Sequence, residues 1–364
     1  FQEYPLFYQP YLKLLVDKIK TLEELDITLT FFSSEQKKLS KGIFVMPSYR
    51  FRRLNEIFYS IVNPSLKKLS YPEIFWIKNK VDIVHLQHSF LNGHIKNIVE
   101  LPFEQRPKII ITLRGADTYI KPWISDKWKR FYCTYGTQVD AFVTVSNHQK
   151  EYLRLWGINE NKIHVIPISF GTHSNAEVKH PSQKEIRIIS AFRMCWEKNI
   201  DGNLRVIKSL VEQGYKVTYD IYGDGHDLGQ IFYLINRYGL LDAVTYKGKI
   251  DNAAFKEILP DYDFYLQLSI SESAGATIIE AQSKGVPCIV SDSDGLPEMI
   301  IPNRTGYVVP YYETSVAADK IIELYNNGEK YTAFSEAAIN FVNNKFSIEY
   351  EVKLLVNLYH KLLN

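Results

Sequence analysis

The segment Ser269-Ile-Ser-Glu272-Ser-Ala-Gly275-Ala-Thr-Ile-Ile-Glu280-Ala-Gln-Ser-Lys-Gly285 carries two carboxylates eight positions apart. On one continuous helix they would lie ~12 Å apart. Here a buried strand ends near Leu268, a polar loop follows, a short helix starts around Ala276, and Gly285 stops it before the next strand. Glu272 thus falls in the loop and Glu280 inside the helix, so the pair brackets a helix N-terminus whose free N–H groups and dipole suit a phosphate. Carboxylates accept hydrogen bonds from sugar hydroxyls, so the set suits a sugar–phosphate–sugar ligand. Two solvated glutamates at a helix end would show the same spacing. Upstream, Arg193-Met-Cys-Trp-Glu-Lys198-Asn follows a strand of the same domain. Two cations there can neutralise a diphosphate, Arg by its fork and Lys as a point charge; an ordinary charged loop is the alternative.

Such a site needs strands and helices that stop in the right places. Short β-branched runs alternate with longer amphipathic stretches, which argues for parallel sheets flanked by helices. In the first half, strands are expected at 27–32, 43–46, 83–87, 109–113, 141–145 and 164–168. Thr21–Leu25 reads as the end of the first helix, and Ser146 as the N-cap of another. Residues 171–185 are polar, contain Gly and Pro and lack apolar periodicity, the composition of a linker. A second alternation follows: strands at 186–192, 216–222, 244–248, 264–268, 287–291 and 306–309, with helices at 202–213, 229–238, 252–259 and 277–283. A tail helix is expected over 347–364, packing back on the N-terminal domain. The chain therefore divides into 1–170, a linker at 171–185, 186–346 and the tail. Both halves read as open, Rossmann-like α/β domains, whose ligands bind outside the carboxyl ends of the strands, so a cleft between the two is the expected site.

Taken in order, Arg193-x4-Lys198, Ile221-Tyr-Gly223-Asp-Gly225, Glu272-x7-Glu280, Gly285-Val-Pro287, Gly295-Leu-Pro-Glu298 and Thr305-Gly306 resemble the pattern of retaining glycosyltransferase family 4, of the GT-B fold. The resemblance covers most of residues 140–345 and is weaker over 1–110. It implies transfer of a sugar, with retained anomeric configuration, from a nucleotide sugar to an acceptor held mainly by the N-terminal domain. It further implies that Arg193 and Lys198 hold the donor diphosphate, Glu280 the ribose, and Glu272 the donor sugar. Backbone amides of Gly275, Ala276 and Thr277 would contact sugar and phosphate, and the loop with Gly248 and Ile250 would border the base. Thr112-Leu-Arg114-Gly-Ala-Asp117 stands where the family commonly has an active-site His, and its Arg-Gly-x-Asp form resembles that of the polysaccharide- and lipopolysaccharide-assembling members. On the resemblance Arg114 and Asp117 face the transferred sugar and acceptor; a capped helix start with a local ion pair is the other reading. Asn199 stands where Gly is usual after the Lys, and Ser273-Ala274 where the family often has a bulky residue or Pro near position 274.

No metal or other cofactor is expected. Asp261, Asp263, Asp292 and Asp294 read as strand-edge and turn residues rather than metal ligands, and His85, His88 and His94 lack a zinc pattern, though His85 and His88 are candidates for the acceptor side. Gly223-Asp-Gly225-His-Asp-Leu-Gly229 misses the dinucleotide fingerprint by one residue.

The 364 residues carry a net charge of only +2, which gives no reason to expect a nucleic-acid partner. That near-neutrality hides 24 basic and 16 acidic residues in 1–170 against 19 and 25 in 171–364. The basic excess, interleaved with aromatics from Lys37 to Lys80, suits an anionic membrane surface. Three scattered cysteines suggest no disulfide framework, and neither a signal peptide nor an 18-residue apolar run is visible, so the cytoplasm is the expected compartment, with contact at its membrane face. The acceptor expected is a growing glycan or its lipid carrier. A related transferase using a soluble sugar, or a catalytically silent sugar-nucleotide-binding module, are the rival readings.

Overall fold

The structure, a computed structural model, describes residues 3–4, 10–31, 33–34, 42–66, 68–169, 171, 174–182 and 184–364. It separates into two compact units, the first made of residues 1–167 with 351–364 and the second of 168–350.

In the first unit β1 (Glu3–Tyr4), β2 (Leu29–Phe31), β3 (Ser33–Ser34) and β4 (Ile43–Val45) form two parallel pairs, β1 with β3 and β2 with β4. Next come β5 (Ile83–Leu86), β6 (Lys108–Thr112), β7 (Ala141–Thr144) and β8 (Ile163–Val165), a parallel sheet in the order β5-β6-β7-β8. Ile109, Ile110 and Ile111 of β6 are all fully buried, the mark of a strand covered on both faces. Buried Arg106 pairs with Asp140 at 2.6 Å, and Asp140 also accepts from the Ile109 amide, which fixes where β6 begins. Glu73, fully buried, completes a capping box with Ser70 and accepts from the amides of Asn97 and Ile98, so one carboxylate ties a helix start to a turn 24 residues on. The long helix Ile348–Leu363 buries Val352, Leu355 and Val356 at the expected spacing, and from Glu351 onward it is part of this unit.

The second unit contains β9 (Ile186–Ala191), β10 (Val217–Tyr222), β11 (Val244–Gly248), β12 (Phe264–Gln267), β13 (Cys288–Ser291) and β14 (Gly306–Val309) in one parallel sheet ordered β11-β10-β9-β12-β13-β14. From β9 the chain works outward through β10 and β11, returns to the centre at β12, and then works outward the other way. The switch point therefore lies between β9 and β12, where open α/β sheets bind ligands beyond the strand ends.

Several sequence expectations need correction. The first helix ends at Ile19 rather than within Thr21–Leu25, because the Thr21 hydroxyl donates to the Lys18 carbonyl and closes the last turn. The strand expected at 27–32 is shorter, and position 32 lies outside the described residues. Residues 174–182, read as linker, are laid along the second unit. There the Ser174 amide donates to Asn343, the Lys179 amide to Ser335 and the Ser182 amide to Asp263. Helices Thr314–Tyr325 and Gly328–Lys345, absent from the sequence reading, close this unit.

Candidate donor site

Two loops meet at the switch point. The first leaves β9 through Arg193 and a short turn, Trp196–Lys198, and reverses at Asn199, whose backbone is left-handed (φ 51°). Asparagine tolerates this conformation better than most residues, and its side chain caps the next helix by accepting from the Gly202 amide at 3.1 Å. The loss of the usual glycine is thus compensated locally. The second loop leaves β12 and carries Glu272. Asn203, buried, binds both: its Nδ2 donates to the carbonyls of Lys198 and Asn199, and its Oδ1 accepts from the Leu268 amide. The Ile270 amide donates to the Glu197 carbonyl at 2.7 Å.

This scaffold brings Lys198 and Glu272 into direct contact, the Lys198 ammonium donating to Glu272 Oε2. Their side chains are 12% and 18% exposed, enough to be reached by a ligand while shielded from bulk solvent. Gln267 Nε2 donates to the same carboxylate oxygen at 3.3 Å. Asp294, discounted above as a metal ligand, serves as the clamp of this loop: its Oδ2 accepts from the Ser271 hydroxyl at 2.6 Å and the Glu272 amide at 3.1 Å. Arg193 stands exposed on the first loop.

Gly275, Ala276 and Thr277 open the helix Ala276–Ser283, whose N-cap is glycine with no side-chain cap. Amides at such an end are available to an anion. Thr277 is held from below by a 2.5 Å hydrogen bond with Tyr265. One turn further, Glu280 is 4% exposed and accepts from Asn252 Nδ2 at 2.5 Å, with Lys256 at 3.7 Å. Burial outweighs these partners and pushes the Glu280 carboxyl up to about 7. Asn252 and Lys256 escaped the sequence reading, since their partner Glu280 lies 28 and 24 residues further along; the N-cap Asp251, which accepts from the Ala253 and Ala254 amides, is the local signal that would have placed them on one helix. Gly248, with φ 78°, ends β11, and Ile250 follows in the same loop.

The Gly223-x-Gly225 pair has a packing role. A Cβ on Gly223 would lie 1.9 Å from the Phe192 carbonyl oxygen, and one on Gly225 2.2 Å from that of Met194, so the backbone leading to Arg193 runs directly against this turn. Gly223→Ala, strained also by φ 130°, is expected to destabilise the chain by at least ~2 kcal/mol. Urea denaturation measures it, and an unchanged midpoint would remove the packing role.

The first unit holds the remaining candidates. Asp117 is buried, its carboxylate accepting from the Arg114 and Gly115 amides and the Ser89 hydroxyl. It shapes the turn that presents Arg114, whose guanidinium donates to the carbonyl and side-chain oxygens of Gln87. His85 bonds Tyr359 through Nδ1 at 2.8 Å and Thr112 through Nε2 at 2.7 Å, and burial beside Arg114 lowers it to about 3, so it is a neutral structural link. His88, also lowered to about 3 by burial and Arg114, stacks on exposed Phe90 with centroids 4.9 Å apart. Among the described residues no group of three or more His, Cys, Asp or Glu is arranged to hold a metal.

Residues 173–341 match the model of "Glycosyl transferases group 1" and residues 15–169 that of "Glycosyltransferase Family 4". The chain is 25% identical over 298 residues to N-acetyl-alpha-D-glucosaminyl L-malate synthase of Bacillus anthracis, covering 79% of this chain and 76% of that one. It is 26% identical over 368 residues to an uncharacterized 41.2 kDa protein in the cps region of Klebsiella pneumoniae, covering 95% of each. The fold is shared with Anabaena Alr3699/HepE, solved in complex with UDP, at a TM-score of 0.73 and 13% identity over 99% of this chain and 98% of that one. With the two models together taking in nearly the whole chain, the protein belongs to the family 4 glycosyltransferases of the GT-B fold.

Proposed function

We propose that the protein moves a sugar from a nucleoside diphosphate sugar to a glycan or lipid-linked glycan acceptor in cell-surface polysaccharide assembly, with retained configuration and without a metal. The observation that carries this reading is the contact of Lys198 with Glu272 at the switch point, on the loop that leads into the helix bearing buried Glu280. On donor entry Lys198 exchanges the carboxylate for the diphosphate, and Glu272, released, accepts hydrogen bonds from the sugar hydroxyls. Arg193 and the amides at 275–277 share the phosphate charge, and Glu280 takes the ribose. As the bond from the anomeric carbon to the phosphate oxygen breaks, negative charge grows on the leaving diphosphate, where Lys198 and Arg193 already stand. The acceptor oxygen bonds to the same face of the sugar, and its proton passes to the departing phosphate oxygen. Arg114, positioned by Asp117, and His88 are the acceptor-side groups of this proposal. The Arg114-Gly-x-Asp117 resemblance and the relative encoded in a cps region favour a surface glycan as acceptor.

Calorimetric titration with UDP, GDP and ADP, with and without a chelator, tests the donor half. One nucleotide is expected to bind equally well in both conditions. Binding to none would remove the donor site, and binding abolished by the chelator would remove metal independence.

A further inference from the structure

The helix Tyr49–Val62 presents its apolar side to solvent. Tyr59, 8% exposed, is its one buried residue, whereas Leu54 and Ile61 are 68% and 71% exposed. Phe51, Ile57, Phe58 and Val62 are exposed with them. At about 100° per residue these six fall within an arc of roughly 140°. Arg52, Glu56 and Tyr59 occupy the opposite side, where Glu56 accepts from the Tyr71 amide at 3.0 Å. The helix is therefore more apolar toward water than toward its own unit, and a stripe of this kind marks a contact surface.

We infer that this helix docks flat on an anionic lipid bilayer. Its 14 residues span only about 21 Å, too short to cross a membrane and suited to lying in the interface. Arg50 projects within the apolar arc and Arg53, bonded to Glu56 at 3.0 Å, stands at its margin, while no acidic residue falls on the arc. Arginines so placed reach lipid phosphates while their stems stay among acyl chains. Lys37, Lys38 and Lys41 before the helix, and Lys67 and Lys68 after it, add positive charge in the sequence on both sides. A second copy is the poorer occupant, because an isologous contact would bring each stripe and its Arg50 against its own image. The inference stands independently of the donor site and of the reaction proposed above.

Flotation of the full chain with vesicles of phosphatidylcholine, with and without phosphatidylglycerol, provides the test. Binding is expected only to the anionic vesicles, with release at high salt. Arg50→Gln with Arg53→Gln is expected to weaken it about thirtyfold, and Phe51→Glu with Phe58→Glu to abolish it. All four positions face solvent, so circular dichroism of both double variants should match the parent. Equal binding to both vesicle types, or binding that survives Phe51→Glu with Phe58→Glu, would overturn the inference. So would a dimer, seen by light scattering, that those changes disperse while vesicles bind neither form.

Discussion

Lys198→Ala is expected to lower kcat/KM for sugar transfer by about 10²–10³-fold, the usual consequence of removing one preorganised charge from the place where negative charge develops. The size of the effect follows from where the ammonium sits. It is held over the switch point by a loop that Asn203 and the Glu197 carbonyl tie to the neighbouring strand, so its position does not depend on the ligand. Truncation leaves Glu272 with Gln267 as a partner and partial access to water, so the fold survives and the loss is catalytic. The signature is a fall in kcat larger than any rise in KM, because in the proposed reaction ground-state phosphate binding is shared with Arg193 and the helix N-terminus. Steady-state kinetics with a labelled donor decide it, and a variant with parental kcat would take Lys198 out of the reaction.

Glu280→Gln is expected to separate stability from function. Burial raises this carboxyl from its ordinary 4.5 to about 7, so between those values the folded chain keeps a proton that the unfolded chain has released. Stability is then greatest below about pH 4.5 as far as this group is concerned. It falls as pH rises through the window, by on the order of 3 kcal/mol in all. Glutamine cannot ionise and can still accept from Asn252, so the variant should be more stable than the parent at pH 8, with the two converging near pH 5. Donor binding moves the opposite way: a neutral amide accepts ribose hydroxyls more weakly than a carboxylate, and a rise of about 10–100-fold in Kd is expected. Parental donor binding should likewise weaken as pH drops below 7. Denaturation curves and nucleotide titrations at both pH values test the pair of effects; a variant less stable than the parent at pH 8 would refute the assigned cause.

Much of this arrangement was legible in the sequence for a physical reason. Strands buried at nearly every position, such as Ile186–Ala191 and Phe264–Gln267, show as short, mostly apolar runs, and the loops carrying Arg193 and Glu272 follow directly from where those runs stop. The helix Thr314–Tyr325 was missed because two of its buried contacts are Ala317 and Ala318, small side chains that pack closely without raising the apolar signal. Residue type alone leaves two readings of Asp117 open; the structure adds that its carboxylate accepts from its own turn and that both imidazole nitrogens of His85 are bonded. Asn252 and Lys256 did not stand out because their value comes only from contact with the buried carboxylate of Glu280, far along the chain.

The sheet order of the second unit has a consequence for the birth of the protein. Lys198 leaves the ribosome 74 residues ahead of Glu272, with β9, β10 and β11 already able to pair while β12 is still unmade. During that interval β9 is an open edge strand, with its backbone exposed to any other nascent chain, and Lys198 lacks the Glu272 carboxylate. The arrival of β12 closes the edge and pairs the charge in one event. Nucleotide capture therefore reports on a finished chain, and a ribosome stalled before β12 would display a sticky, nucleotide-blind half-sheet.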